Sequence, residues 1–288
     1  MNEFSRQMLA AALPGLIRIS RDAGRAILEI YGSDFTVERK DDNSPLTLAD
    51  RRSHDIIVGG LSRLPVGKLP VLSEEGNDIP YGERKTWELL WMVDPLDGTK
   101  EFIQRNGEFT VNIALIGKGR PLLGVVYLPT KGRMYFGANG LGAYLLEHET
   151  APASDSIDAI LNASVRLPLT ARDESRVMVI GSRSHMSAET EQFISGLRSR
   201  GNDVGFLSAG SSLKFCLIAE GKADIYPRFA PTMEWDTAAG QAIVECAGGA
   251  VLRADAPVPL TYNKEDLRNP WFVALAPRAR RRDFSARQ

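Results

Sequence analysis

The sequence predicts a mixed α/β protein of the α+β kind, built in two halves. Three observations carry this. An apolar stripe at helical spacing opens the chain, and four short apolar runs bounded by Gly, Pro and Asn follow in its first half. The second half alternates strand-like with helix-like segments. At 288 residues the chain is long enough for roughly two domains, and for a core that needs neither disulfides nor a structural metal.

The opening stripe is Leu9, Leu13, Leu16, Ser20, Ala23, Ile27 and Tyr31. It passes straight through Arg18, Arg21 and Arg25, which favours an amphipathic helix over a signal-peptide core. The apolar run from Met8 to Ile17 contains Pro14 and falls well short of the ~20 residues a bilayer needs. A polar stretch, Lys40 to Asp50, leads into a helical segment ending near Leu64. PVLS (Pro70–Ser73) and LLWMV (Leu89–Val93) read as buried strands, each ending on acidic residues. TVNIALIG, LLGVVYLP, RMYFGA and GAYLLE then read as an antiparallel meander. The mixed stretch from His148 to Arg176 is the expected boundary, giving domains 1–165 and 166–288. Beyond it come strand RVMVIGS, helix Ala188–Arg200, strand VGFLSAG, helix Ser211–Gly221, strand ADIYP, helix Thr237–Ala247 and strand Gly249–Leu252. A last strand, WFVALAP, precedes a tail with five arginines in its final eleven positions. A solvated terminus explains that tail, with contact to RNA or an acidic membrane surface as the alternative.

Composition excludes whole classes. Hydrophobic residues make up 43% and charged residues 25%, which rules out disorder, collagen and disulfide scaffolds. Net charge is −1 and pI about 6.4, so there is no global basic field of the nucleic-acid-binding kind. Cys216 and Cys246 have no histidine near them and sit in apolar stretches, so buried thiols rather than zinc ligands are expected. That usage fits a reducing cytosol, and a cytoplasmic protein is the expectation.

The chemistry concentrates in WMVDPLDGTKEFI, Trp91 to Ile103. An apolar strand delivers Asp94 and Asp97 into a turn shaped by Pro95 and Gly98. Thr99 and Lys100 then open a short helix, whose free N–H groups at Gly98 and Thr99 suit a phosphate. Two like charges ~4 Å apart cost about 4 kcal/mol at an effective dielectric of 20, and a phosphate adds to that. A divalent cation resolves the conflict, and all-oxygen ligation selects Mg²⁺ over Zn²⁺. Glu74 and Glu75 follow the PVLS strand, and EWDTAAG places Asp236 at a helix N-cap. SPLTLAD brings Thr47 and Asp50 immediately before another helix. Taken singly, Asp236, Thr47 and Asp50 are better explained as caps. His54 and His148 have no evident role, and there is no Walker loop or GxGxxG.

Together, SPLTLAD, SEEG, DPLDGTKEF and EWDTAAG resemble, in order, the motifs of the inositol monophosphatase-like superfamily of Mg²⁺-dependent, lithium-sensitive phosphatases. The resemblance spans nearly the whole chain. Lys100-Glu101-Phe102, SRSH (Ser182–His185) and SSLK (Ser211–Lys214) are similar to its bacterial 3′(2′),5′-bisphosphate nucleotidase branch. This implies a layered α-β-α-β-α sandwich of two domains with the site between them, holding two or three Mg²⁺ ions. It assigns one metal to Glu74, Asp94 and the Leu96 carbonyl, and a second to Asp94, Asp97 and Asp236, with Glu75 in support. A water activated by the cation is the implied nucleophile. Thr99, hydrogen-bonded to Asp50, would orient it, with Glu74 on the other side. Glu74, Leu96, Asp97, Gly98, Thr99, Ser211 and Asp236 would surround the substrate. Lys214 and Arg228 would meet a distant 5′-phosphate and His185 an adenine, although a solvated charge or a structural histidine explains these three as well.

The implied reaction removes the 3′-phosphate of adenosine 3′,5′-bisphosphate to give AMP, with the phosphosulfate analogue as a further substrate, in sulfur metabolism. Inositol monophosphate or a sugar bisphosphate is the nearest rival, and a nucleotide-sensing or RNA-interacting regulator the non-enzymatic one. The expected partner is a small nucleotide bisphosphate. No specific nucleic acid and no membrane span are expected, peripheral membrane contact stays open, and the assembly is a monomer or homodimer.

Overall fold

A computed structural model describes residues 6–32, 37–39, 45–147, 156–169, 175–182 and 187–281. The opening stripe forms α1 (Arg6–Tyr31), which runs on through Pro14 and buries Leu9, Leu13, Leu16, Ser20, Ala23 and Ile27. The hairpin β1 (Val37–Arg39) and β2 (Pro45–Thr47) leads directly into α2 (Leu48–Leu61), which packs against α1. Asp50 therefore lies inside the first turn of α2, not ahead of the helix.

A seven-stranded sheet follows. Its strands are β3 (Val71–Ser73), β4 (Leu89–Asp97), β5 (Thr110–Gly117), β6 (Arg120–Leu128), β7 (Arg133–Ala138), β8 (Gly142–Glu147) and β9 (Val165–Arg166), paired in that order. β3 and β4 are parallel and the rest antiparallel, so the expected meander is present as β5 to β8. Short helices α3 (Tyr81–Arg84) and α4 (Thr99–Ile103) flank β4, the 3₁₀ turn η1 (Pro129–Lys131) joins β6 to β7, and α5 (Ile157–Asn162) precedes β9. The 165/166 division falls inside β9. β5 is buried along its whole length. Its Val111, Ile113 and Leu115 join the core under α1, while Ala114 and Ile116 join the core on the other face. A strand covered on both sides carries no polar alternation, which is why β5 reads as one apolar run.

The second sheet has the order β11 (Asp203–Ser208), β10 (Arg176–Gly181), β12 (Ile225–Arg228), β14 (Phe272–Leu275) and β13 (Ala250–Arg253). Between these strands come α6 (Ala188–Ser199), α7 (Leu213–Glu220) and α8 (Glu234–Cys246), and α9 (Pro277–Arg281) closes the described chain. α8 buries Ala238, Ala239 and Ala242 and contacts β5, β6 and β7 of one sheet and β13 and β14 of the other. α7 likewise touches both sheets, and α6 and α9 cover the far face of the second. The layers thus run α1/α2, sheet, α7/α8, sheet, α6/α9, as the resemblance implied. Small residues on α8 let the helix sit close to both sheets, and this carries its first turn to the end of β4. Among the described residues, no helix is long and apolar enough to cross a membrane.

Candidate active site

β4 does not stop at Val93 but continues through the DPLD motif to Asp97. Residues three apart on a regular strand face opposite sides. Here the register slips: Asp94 pairs with Asn112 and Asp97 with Thr110, so three steps on β4 match two on β5. That bulge, at Pro95 and Leu96, turns both carboxylates to the same face. Beside it, the Glu74 N–H donates to Val93 O at 3.2 Å and extends the parallel pairing past the end of β3. α2 braces both segments. Ser53 Oγ donates to Pro95 O at 2.7 Å, and His54 Nδ1 lies 2.9 Å from Ser73 Oγ.

The structure brings one oxygen each of Glu74, Asp94 and Asp236 within 4.8 Å of one another. Asp236 is not an N-cap. α8 begins at Glu234, so Asp236 is its third residue, and its Oδ2 accepts from the Met233 N–H at 2.9 Å. Reaching back in this way satisfies a free helix donor and leaves the carboxylate aimed at β4. Asp94 Oδ1 accepts from the Leu96 N–H at 3.1 Å. Asp97 stands slightly apart, its Oδ2 2.7 Å from Ser212 Oγ. Ser212 is buried, lies 2.9 Å from the Asp236 carbonyl, and accepts from Asn112 Nδ2 at 3.0 Å.

Burial pushes the Asp94 carboxyl well above the ordinary range, and repulsion from Glu74, Asp97, Asp236 and Asp50 adds to it. Burial does the same to Asp236, with Asp97 and Glu74 adding and the Met233 N–H and Arg228 opposing. Carboxylates converging from the end of β3, from β4 and from α8, with Asp94 buried and the other two half-buried, are costly unless a cation joins them. The donors are all oxygen and hard, so the set fits Mg²⁺.

Gly98 caps α4 with φ 94° and ψ 45°, a left-handed conformation that favours glycine. A Cβ there would lie 3.2 Å from that of Ser211, which itself has φ 44°. Thr99 and Ser211 line the same cleft, of about 270 Å³. Thr99 and Asp50 are not hydrogen-bonded to each other, and Asp50 is buried in α2.

A basic pair, Lys214 and Arg228, lines the cleft as well and forms its basic end. Lys214 is only 6% exposed, so it is not a solvated surface charge. Its Nζ donates to Ser211 O at 2.6 Å and lies 5.5 Å from the Tyr226 ring centroid. Burial lowers its pKa to about 8, opposed first by Asp97 and helped by Arg228. Arg228 is half-buried, lines the cleft and donates to Pro231 O at 3.1 Å. Phe215, Tyr226 and Phe272 pack together beneath these cations, with ring centroids 5.3–5.7 Å apart. His185 and the Thr47 side chain lie outside the described residues.

No role for Ser212, Asn112, Ser53 or His54 is legible in the sequence. SSLK was a signal for the first, but which serine faces the carboxylates depends on the left-handed turn at Ser211.

The family model of the inositol monophosphatase family matches residues 8–278. The 3′(2′),5′-bisphosphate nucleotidase CysQ of Escherichia coli (strain K12) is 45% identical over 264 residues, covering 90% of this chain and 98% of that protein. The crystal structure of CysQ from Bacteroides thetaiotaomicron superposes with a TM-score of 0.81 at 48% identity, over 96% of this chain and 98% of that one. Inositol monophosphatase II from Staphylococcus aureus MSSA476 shares the fold, with a TM-score of 0.67 at 19% identity over 94% and 92% of the two chains. Motifs, fold and relatives agree: the chain belongs to the inositol monophosphatase family.

Proposed function

We propose that this chain hydrolyses the 3′-phosphate of adenosine 3′,5′-bisphosphate to give AMP and phosphate, with Mg²⁺ as cofactor, and acts on the phosphosulfate analogue as well. The observation that carries this reading is the two-ended cleft. Glu74, Asp94, Asp97 and Asp236 gather at one end, and Lys214 and Arg228 line the other. A substrate with one phosphate to cleave and another to recognise matches that division. The nucleotidase name of the Escherichia coli relative at 45% identity supports the same substrate class.

Glu74, Asp94 and Asp236 would hold the cation, with Asp97 and the Leu96 carbonyl completing the set. When bound, Mg²⁺ supplies acidity to water and neutralises the phosphoryl oxygens. The Gly98 and Thr99 N–H groups, at the start of α4, take phosphoryl oxygens and stabilise charge as the bond breaks. Glu74 and the Thr99 hydroxyl orient the attacking water. Asp50 and Thr99 act as a pair whose hydrogen bond closes with substrate present, since catalytic contacts are often long before binding. Ser212 fixes Asp97 by donating to it. Lys214 and Arg228 hold the 5′-phosphate, Ser211 shapes the turn between the two ends, and His185 meets the adenine.

Phosphate release from adenosine 3′,5′-bisphosphate, inositol 1-phosphate and fructose 1,6-bisphosphate at millimolar Mg²⁺ tests the reading. The nucleotide should be turned over at least tenfold more efficiently than the other two. Equal or better turnover of inositol 1-phosphate would overturn it.

A further inference from the structure

On the far side of the seven-stranded sheet from the cleft, a second pocket of about 460 Å³ opens between α1 and the β6–η1–β7 turn. Arg21, Arg25 and Leu28 occupy one face of α1 at helical spacing and form one wall. Tyr127, Pro129 and Lys131 form the other. The two walls meet closely because residue 24 is glycine: a Cβ there would fall 2.4 Å from the Tyr127 ring and 3.1 Å from Pro129.

The charges in this pocket are unbalanced. Glu147 also lines it, but its carboxylate is taken by Arg133, at 2.8 Å. Arg25 has only a distant, exposed contact with Asp22, at 3.5 Å. Among the described residues, Arg21 and Lys131 form no ion pair. Tyr127 lines the same pocket; the residue is only 6% exposed, yet its hydroxyl stays accessible and makes no hydrogen bond to a described residue. Burial raises its pKa while Arg21 and Arg25 oppose, so a neutral donor faces the field of two guanidinium groups. A hydroxyl open to the pocket and bonded to no described residue is available to donate to a ligand.

We infer that this pocket binds an organic phosphate monoester, with its oxygens on Arg21, Arg25, Lys131 and the Tyr127 hydroxyl and its organic group against Leu28 and Pro129. Three cations and a neutral donor match a dianion with several acceptor oxygens. The volume and the apolar wall exceed what inorganic phosphate alone would fill. No residue of this pocket belongs to the acidic cleft, so the site stands apart from the proposed reaction.

The test uses non-hydrolysable phosphonates, which the cleft cannot consume. The isotopically labelled full chain, in Mg²⁺ buffer, is titrated with phenylphosphonate and with methylphosphonate, and NMR shifts are read at the Arg21 and Arg25 side chains and the Leu28 and Gly132 amides. Phenylphosphonate should shift these signals saturably and bind about tenfold more tightly than methylphosphonate. In a double variant carrying Arg21→Gln and Lys131→Gln, binding here should weaken at least tenfold while phosphate release at the cleft is unchanged. Tyr127→Phe, which removes one hydroxyl, should weaken it about threefold to tenfold. Absence of saturable shifts at these groups, equal affinity for the two phosphonates, or full binding by the double variant would each overturn the assignment.

Discussion

The two ends of the cleft bury charge in opposite ways. At the acidic end, Glu74, Asp94 and Asp236 converge from β3, β4 and α8, and each raises the energy of the others. At the basic end, Lys214 is buried with Ser211 O as its nearest acceptor and the Tyr226 ring nearby, and Asp97 and Arg228 act on its charge in opposite senses. On the proposed reading, an added cation completes the acidic end. Lys214 is only weakly committed to its charge, since its pKa is lowered to about 8, and Arg228 Nε is buried with no hydrogen-bond partner among the described residues. On the proposed reading, a cation-dependent reaction centre and an anion-binding end share one cleft, and each can be broken without the other.

The largest effect should come from breaking the acidic end. Asp94→Asn removes a carboxylate from the centre of the set, and kcat should fall by about 10³-fold or more on every substrate. Steady-state phosphate release checks this, and near wild-type turnover at millimolar Mg²⁺ would contradict the ligand role. In the metal-free protein the same change should raise Tm, because it removes a repelled charge.

Breaking the basic end should be selective. Losing a charge-assisted contact to a partly enclosed phosphate costs about 1.5–3 kcal/mol, and 1.4 kcal/mol is tenfold. Lys214→Ala should thus lower kcat/KM for adenosine 3′,5′-bisphosphate by about 10- to 100-fold, and hardly change it for adenosine 3′-monophosphate. The preference of the wild type for the bisphosphate should also decline as pH rises through about 8, where Lys214 loses its proton. Equal losses on both substrates would make Lys214 structural.

Ser212→Ala acts at the seam between the ends, where the hydroxyl contacts both Asp97 and the Asp236 carbonyl. Removing a partner of this kind typically costs at least tenfold in metal affinity. The concentration of Mg²⁺ for half-maximal rate should rise about tenfold while the preference between the two adenosine phosphates stays put.

The smallest effect concerns stability. Asp94 and Asp236 have folded pKa values raised above their unfolded ones, so the folded metal-free chain binds more protons than the unfolded chain between those values. The stabilisation is full below pH about 4 and is lost as pH rises through the raised pKa values. Metal-free Tm should drop by a few degrees on going from pH 5 to 8 relative to the Asp94→Asn variant, and Mg²⁺ should remove that difference.

The two ends also differ in how far sequence could read them. The acidic residues sit in compact motifs, and DPLDGT announces its own turn through Pro95 and Gly98. The bulge that turns Asp94 and Asp97 to one face is a property of pairing with β5, which no local spacing encodes. Asp236 was found, but its place as the third helical residue depends on where α8 starts, and that is set by packing between two sheets. Lys214 was found with its environment left open, because burial is decided by Tyr226 and Ala209, which reach it only through the fold. The roles of Ser212 and His54 were illegible for the same reason: a serine or histidine carries no mark of the carboxylate or hydroxyl it will face.

The most direct test of the two-ended cleft is which phosphate leaves. Adenosine 3′,5′-bisphosphate is incubated with the full chain and Mg²⁺, and the product is followed by phosphorus NMR. If Lys214 and Arg228 grip the 5′-phosphate while the acidic end works on the other, the products are AMP bearing its 5′-phosphate and free phosphate. Accumulation of adenosine 3′-monophosphate would place the substrate the other way round and contradict the account.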